Sequence, residues 1–241
     1  MHSPDDAPPL EVYLLGRIDF DAAQRLQRRL VYDLGERGGG ALVLCEHPTT
    51  LSVGRSGSRA HIRPDDEELR SWGIATRWVN RGGGCLLHLP GQLAAYLVVP
   101  LRPLGLDLQG HLDRVRGAIL GVLAEFDLQG NAGPDGSGVL LGGARVATVG
   151  VAVNRWIAYH GFTINVGTFL GPFEALLDEP GRVRQTSMEA VRQRPTPMAK
   201  VREATIRQVE AAFGLGRHHL YTDHPLIRRG TAAHAHAQIA R

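Results

Sequence analysis

Apolar positions recur along this chain with two periods. After Asp19, a residue type that caps helices, Ala22, Leu26, Leu30 and Leu34 repeat every four residues, and Gly38 to Gly40 end the pattern. From His111 to Phe126, a second helical stripe is made by Leu112, Val115, Ile119, Val122, Leu123 and Phe126; Met198 to Phe213 reads as a third helix. Asp65 to Trp72 predicts a short helix, and Phe173 to Leu177 a single turn. Unbroken or alternating apolar runs predict strands over Leu10–Leu15, Ala41–Glu46, Ala75–Val79, Ala94–Val99 and Trp156–Val166. Val139–Leu141 and Arg145–Val153, joined by Gly142-Gly143, predict a hairpin. Ser52 to Arg63 and Asp178 to Gln185 have loop composition. Strands and helices interleave, but several strands are hairpin-connected. The predicted class is therefore α+β, with a mixed, mainly antiparallel sheet and flanking helices. No internal repeat is visible.

At 241 residues the chain is long enough for one domain with a large core, expected over residues 1–214. Beyond Gly214 periodicity is lost in favour of His, Arg and Ala, predicting a loosely ordered tail over 215–241. A formal net charge of +3 without a basic run gives no case for nucleic acid. Only Cys45 and Cys85 occur, both in apolar surroundings, which suits a reducing compartment and not a disulfide framework. The acidic start, Met1 to Asp6, lacks the features of a signal peptide, and no apolar run has the length of a membrane span. The expectation is a soluble, cytoplasmic protein with no cofactor. His218, His219, His224, His234 and His236 have no spacing that matches a metal site. Lys200 is the single lysine within a Lys+Arg total of 27, so a lysine site of an ancestor is expected to appear here as arginine.

The densest candidate chemistry is Arg81-Gly82-Gly83-Gly84-Cys85-Leu86-Leu87-His88-Leu89-Pro90-Gly91-Gln92. Glycines let a backbone approach a ligand closely. By itself the block fits either a ligand loop or a glycine-rich hairpin with a hydrogen-bonded histidine.

Four blocks in one order change that balance. Glu46-His47-Pro48 with Gly54-Arg55, the block from Arg81 to Leu93, Gly142 to Gly150, and Tyr159-His160-Gly161-Phe162-Thr163-Ile164-Asn165-Val166 together resemble the octanoyltransferases of lipoate synthesis (lipoate–protein ligase B), within the biotin/lipoate ligase superfamily. The resemblance runs from about Leu10 to Phe213. It implies a biotin/lipoate ligase-like fold, octanoyl-acyl carrier protein as donor and a lysine of a lipoyl domain as acceptor, in dehydrogenase complexes or the glycine cleavage system. It places an acyl pocket at Arg81, Gly82, Gly83, Gly84, Cys85, Leu86, Leu87 and His88, with Thr148, Val149, Gly150, Gly161, Phe162 and Thr163. Small residues where an eight-carbon chain passes, between apolar walls, suit that use, and glycine N–H groups suit a thioester carbonyl.

The sequence departs from the family at its two reacting positions. Such enzymes form an acyl-cysteine in a Pro-Cys-Gly motif. Counting forward from Asn165 places that cysteine at Glu179, and counting back from Thr186 places it at Asp178. The family's lysine falls at Arg145, and an arginine cannot act as a base. Three explanations stay open. The chain is a degenerate paralogue that binds octanoyl groups, acyl carrier protein or lipoyl domains without turnover. Alternatively, an acceptor amine attacks the thioester directly, with His88 or His160 taking its proton and Arg145 stabilising charge. Or Cys85 is a relocated nucleophile, against its plain reading as a small buried hydrophobe. An ATP-dependent ligase, which keeps a lysine near the activated carboxylate, is poorly matched by a lone Lys200 in a predicted surface helix.

Overall fold

The structure, a computed structural model, describes residues 9–227 except 135, 137, 179, 180, 182 and 217. Its strands are β1 (Leu10–Arg17), β2 (Gly40–Glu46), β3 (Thr50–Val53), β4 (Ala75–Trp78), β5 (Cys85–His88), β6 (Gln92–Pro100), β7 (Asn131–Ala132), β8 (Gly138–Leu141), β9 (Ala144–Asn154), β10 (Ile157–Asn165) and β11 (His218–Tyr221). Its helices are α1 (Phe20–Arg37), α2 (Asp66–Ser71), α3 (Leu108–Ala124), α4 (Gly171–Leu176), α5 (Met188–Arg192) and α6 (Met198–Phe213).

Eight strands form one sheet in the order β11-β1-β2-β6-β10-β9-β8-β7, while β4-β3-β5 form a second, smaller one. β1 runs parallel to β2 and β11, and β3 parallel to β4; the other pairs are antiparallel. This is the mixed, mainly antiparallel α+β arrangement that the patterning predicts.

Helix α1 starts where expected. The Asp19 carboxylate accepts the Ala22 N–H at 3.0 Å, a cap worth about 1 kcal/mol, and Gly38 at φ 74° ends the helix. Its stripe of Ala22, Ala23, Leu26, Leu30 and Leu34 packs on Val43, Cys45, Ala94, Tyr96 and Val98 of one sheet face. On the opposite face, α3 and α6 bury Val115, Ile119, Val122, Val201 and Val209 against Leu42, Leu44, Leu97, Phe162 and Ile164. Alternation along β10 thus sends Phe162, Ile164 and Val166 to the α3/α6 core. The small sheet has its own core, in which Leu51, Val53 and Leu87 meet Leu69, Ile74, Phe173 and Leu176.

The β8–β9 turn is the predicted one. Gly142 and Gly143 have φ of 55° and 81°, both positive as a two-residue type I′ turn requires. The β9–β10 turn takes the same sign at Arg155 and Trp156, with φ of 49° and 64° and no glycine. There the Arg102 guanidinium lies 4.6 Å from the centre of the Trp156 ring, and the Leu101 N–H donates to the Trp156 carbonyl at 2.8 Å.

Two expectations of irregular structure are corrected. β3 begins inside sequence taken as chain before a loop and carries Ser52 and Val53, both fully buried, into a strand; four residues are too short to show alternation. The stretch after Gly214, expected to be loose, supplies β11, whose Tyr221 ring stacks on Tyr13 at 5.0 Å. Residues 228–241 lie outside the described residues. Among the described residues, no helix is long and apolar enough to cross a membrane, and no group of three or more His, Cys, Asp or Glu side chains is placed to hold a metal ion.

His111 on α3 is completely buried against Phe213, with neither ring nitrogen hydrogen-bonded. Burial pushes its pKa down to about 4, and burial does the same to His47. Between about pH 4 and 6.5 the unfolded chain binds protons that the folded chain refuses, so stability must fall on acidification through that window. Each such histidine adds up to about 1.4 kcal/mol per pH unit. Urea unfolding from pH 7.5 to 4.5 should show this fall, and His111→Leu should reduce its slope and raise stability at pH 5. An unchanged slope would refute the assignment to His111.

Candidate active site

The loop from Arg81 to Gly84 lies between the small sheet and β9, and its own carbonyls fix it there. The Arg81, Gly83 and Gly84 carbonyls accept the N–H groups of Arg55, Ser56 and Gly54 at 3.0, 3.1 and 3.0 Å. The Gly82 carbonyl accepts Arg81 Nη1 at 3.0 Å. On the other side, the Gly82 N–H donates to the Val151 carbonyl of β9 at 2.9 Å. Of the glycine N–H groups expected to suit a thioester carbonyl, that of Gly82 is therefore engaged within the protein. Gly82 is spent on β9; among the described residues, those of Gly83 and Gly84 meet no acceptor. With all four carbonyls engaged, the loop's remaining hydrogen-bonding capacity is donor capacity.

Two glycines beneath the loop make this approach possible. A Cβ on Gly54 would stand 2.4 Å from the Gly83 carbonyl oxygen, and one on Gly150 would stand 3.0 Å from the Gly82 oxygen and Arg81 Cδ. Arg81 itself is buried, and its Nη2 donates to both the carbonyl and the hydroxyl of Ser52 at 2.9 Å. Ser52 Oγ is also 3.0 Å from His88 Nε2. Arg81, Ser52 and His88 therefore form one buried chain across β3 and β5.

Register decides which expected pocket residues share this space. Gly161 pairs with Gly150 and Thr163 with Thr148 across β10 and β9. Val149 and Phe162, the alternate positions, point into the α3/α6 core. In β5, Leu86 lies opposite Ser52, while Leu87 lies opposite Leu51 in the small core. Cys85 also packs against that core, with its thiol 3.6 Å from the Ser58 carbonyl. The structure thus brings together Arg81 to Gly84, Leu86, His88, Thr148, Gly150, Gly161 and Thr163; it turns Cys85, Leu87, Val149 and Phe162 towards packing.

Neither candidate histidine is tuned as a base. Burial, together with the charges of Arg81, Arg55 and Arg28, pushes His160 down to about 3. Burial, His47, Arg81 and His160 hold His88 well below the usual imidazole range. Both are neutral at pH 7 but too weakly basic to take a proton effectively, which corrects the expectation of an imidazole titrating near neutrality. His160 has φ 63°, its N–H donates to Gln27 Oε1 of α1 at 3.0 Å, and its Nε2 is 3.2 Å from Asn80 Oδ1. His47 donates from Nδ1 to the Ile18 carbonyl at 2.9 Å, so its Nε2 accepts the Tyr96 hydroxyl at 2.7 Å.

The segment from Asp178 to Thr186, where the resemblance would put the family's cysteine, is tied at both ends. The Asp178 N–H donates to the His61 carbonyl at 2.9 Å, and its carboxylate faces Arg63 at 3.2 Å on the surface. At the far end, the Arg145 N–H donates to the Arg184 carbonyl at 2.7 Å, and the Thr186 N–H to the Arg145 carbonyl at 2.9 Å. Arg145 is therefore held through its backbone against residues 184–186, at the downstream end of this segment. Glu179 lies outside the described residues. Patterning did not reveal the support behind this loop: Asn165 Nδ2 donates to the Thr186 carbonyl at 2.9 Å, and Gln92 Nε2 to Asn165 Oδ1 at 2.9 Å. Glu46 joins in by accepting the Gly91 N–H and pairing with Arg202, both at 3.0 Å.

A model of the lipoyl protein ligase A/B catalytic domain matches residues 19–214. The chain belongs to that family. Within it, a Syntrophobacter fumaroxidans octanoyltransferase is 36% identical over 171 residues, covering 69% of this chain and 73% of that one. A Geobacter metallireducens octanoyltransferase is 35% identical over 195 residues, covering 79% and 87%. The fold also matches a lipoate protein ligase from T. acidophilum solved with lipoic acid (TM-score 0.72, 16% identity, covering 88% of this chain and 90% of that one) and a lipoate-protein ligase A bound with ATP (TM-score 0.73, 16% identity, 88% and 89%). The expected lipoate/biotin ligase-like fold is thus the observed one, and this lipoyl ligase A/B family member is an octanoyltransferase homologue.

Glycine substitutions separate the pinned loop from ordinary surface. Gly54→Ala must displace the Gly83 carbonyl and should cost about 1–3 kcal/mol. Gly117→Ala on α3 meets nothing within 4 Å and should stabilise the protein by about 0.5–1 kcal/mol. Denaturant unfolding of the two variants reads both signs.

Proposed function

We propose that this protein moves octanoyl from octanoyl-acyl carrier protein to a lipoyl-domain lysine in the cytoplasm, without passing through an acyl-cysteine. The observation that carries this reading is the Arg81–Gly84 loop, whose carbonyls are all engaged while, among the described residues, the Gly83 and Gly84 N–H groups meet no acceptor. A thioester carbonyl oxygen is an acceptor, and it gains negative charge as its carbon is attacked. Two adjacent N–H donors in a preorganised loop stabilise that charge.

The acceptor amine nitrogen attacks the thioester carbon, and the carbonyl oxygen becomes an oxyanion held by the glycine N–H groups. The carbon–sulfur bond then breaks, the amide forms, and the proton leaving nitrogen ends on the departing thiolate. Positioning both partners supplies the acceleration that a covalent intermediate supplies elsewhere in the family. Arg145, at the family's lysine position, serves as an electrostatic group for the developing oxyanion or the donor's phosphate. Cys85, turned towards the small core, is not the nucleophile in this reading.

A second reading, a binding protein without turnover, is favoured by the same histidines. With His160 at about 3 and His88 also depressed, neither supplies a base near neutrality. Intact-mass spectrometry of the protein with octanoyl-acyl carrier protein and a lipoyl domain decides between the two. Octanoyl mass on the lipoyl domain above a protein-free control, with none on this protein, is the expected result. No transfer, under conditions where a cysteine-bearing relative modifies the same domain, establishes the binding protein.

If transfer occurs, the free amine alone sets its pH dependence. The rate should rise about tenfold per pH unit from pH 6 to 9, without a break near 6.5. A break there would assign the proton to a histidine. Restoring both family residues with Arg145→Lys and Glu179→Cys should produce an octanoyl adduct on the protein. The absence of an adduct from both this pair and the Asp178→Cys version would show that the 178–185 loop no longer supports that chemistry.

A further inference from the structure

We propose that the donor carrier docks through an acidic face on a ring of arginines around Asn80, formed by Arg25 and Arg28 of α1, Arg55 and Arg77. The inference rests on the reading of the donor as an acyl carrier protein and assigns the surface that receives it.

Contacts from three elements draw the ring together. On α1, Asp21, Arg25 and Arg28 follow at spacings of four and three and so share one ridge. Arg77 of β4 reaches across to Asp21, with its Nε 2.8 Å from both carboxylate oxygens. Gln27, beside Arg28, accepts the His160 N–H, so this edge of α1 abuts β10 where the site lies. Arg55 donates to the Asn80 carbonyl at 2.9 Å, and the Asn80 side chain bonds both His160 and the Tyr159 hydroxyl. The ring therefore surrounds Asn80, immediately before the Arg81–Gly84 loop.

Arg77 is paired with Asp21, but the other three charges are unspent. Arg25, Arg28 and Arg55 are exposed, and among the described residues none of them is within ion-pair distance of a carboxylate. Their field reaches the site, since Arg55 and Arg28 contribute to the depression of His160. Uncompensated cations clustered at this edge fit an acidic protein surface. Such a surface also places an anionic phosphodiester arm, which carries the thioester, beside the loop that receives the acyl group. Rim charges of this kind set association rate and salt dependence.

The test measures binding of octanoyl-acyl carrier protein to the full chain. Arg25→Glu with Arg28→Glu should weaken binding about tenfold or more at low salt, a difference that narrows at about 0.5 M salt. Arg114→Glu with Lys200→Glu, on the α3/α6 side, changes the net charge equally and should leave the affinity within about twofold. Matching thermal melts show that the variants are folded. In addition, the salt dependence of the unmutated protein tests the charge argument without any substitution. Equal losses from both charge-reversed pairs would mean net charge and not this ring, overturning the proposal. Loss of lipoyl-domain binding with carrier binding intact would give the ring to the acceptor, which also overturns it. If the unmutated protein binds no acyl carrier protein, the donor reading itself fails, an outcome distinct from a carrier that binds but ignores the ring.

Discussion

A buried guanidinium holds the site together. Arg81 lies under its own glycine loop and ties that loop to Ser52 of β3, which in turn touches His88 of β5. Taking such a charge out of water costs several kcal/mol unless its donors are engaged, so the position tolerates little freedom. The loop conformation, the close approach to Gly54 and Gly150, and the spacing between the two sheets all follow from it. A lysine there would carry the charge without the planar fork that reaches Ser52 and Gly82 together.

The blocks that carry the family resemblance divide into two kinds. Gln92, Asn165 and Glu46 are structural: they pass hydrogen bonds from the end of β10 to the segment at Thr186 and from β2 to Gly91. Together they hold the segment at Thr186 and the turn at Gly91 against the large sheet. His88 and His160 belong with the framework too. Each sits where burial and nearby cations keep the ring neutral, which suits hydrogen bonding to Ser52 and Asn80.

Much of this architecture could be read from residue order. The helix stripes of α1, α3 and α6, the Asp19 cap and the Gly142-Gly143 turn depend on local pattern, and local pattern is visible. β3, β7 and β11 are two to four residues long and owe their form to partners far away in sequence, so their patterns carry too little signal. The site was legible as a set of blocks but not as a set of faces. Only the register of β10 against β9 shows that Gly161 and Thr163 share a face while Phe162 turns to the core. Likewise, the spacing of His160 resembles a catalytic position, whereas the three arginines that depress it come from separate parts of the chain.

The parallel pairing of β1 with β11 has a consequence for how the molecule assembles. Leu10 lies beside His218, so nearly the whole described chain intervenes between the two partners. Closing so large a loop is entropically expensive, and the cost is met only after the intervening strands and helices have already condensed. Until then Tyr13, later covered by Tyr221, stands at an open sheet margin. During synthesis that margin waits for β11, which makes the interval before its arrival the time when the nascent sheet is most open to pairing with a neighbour.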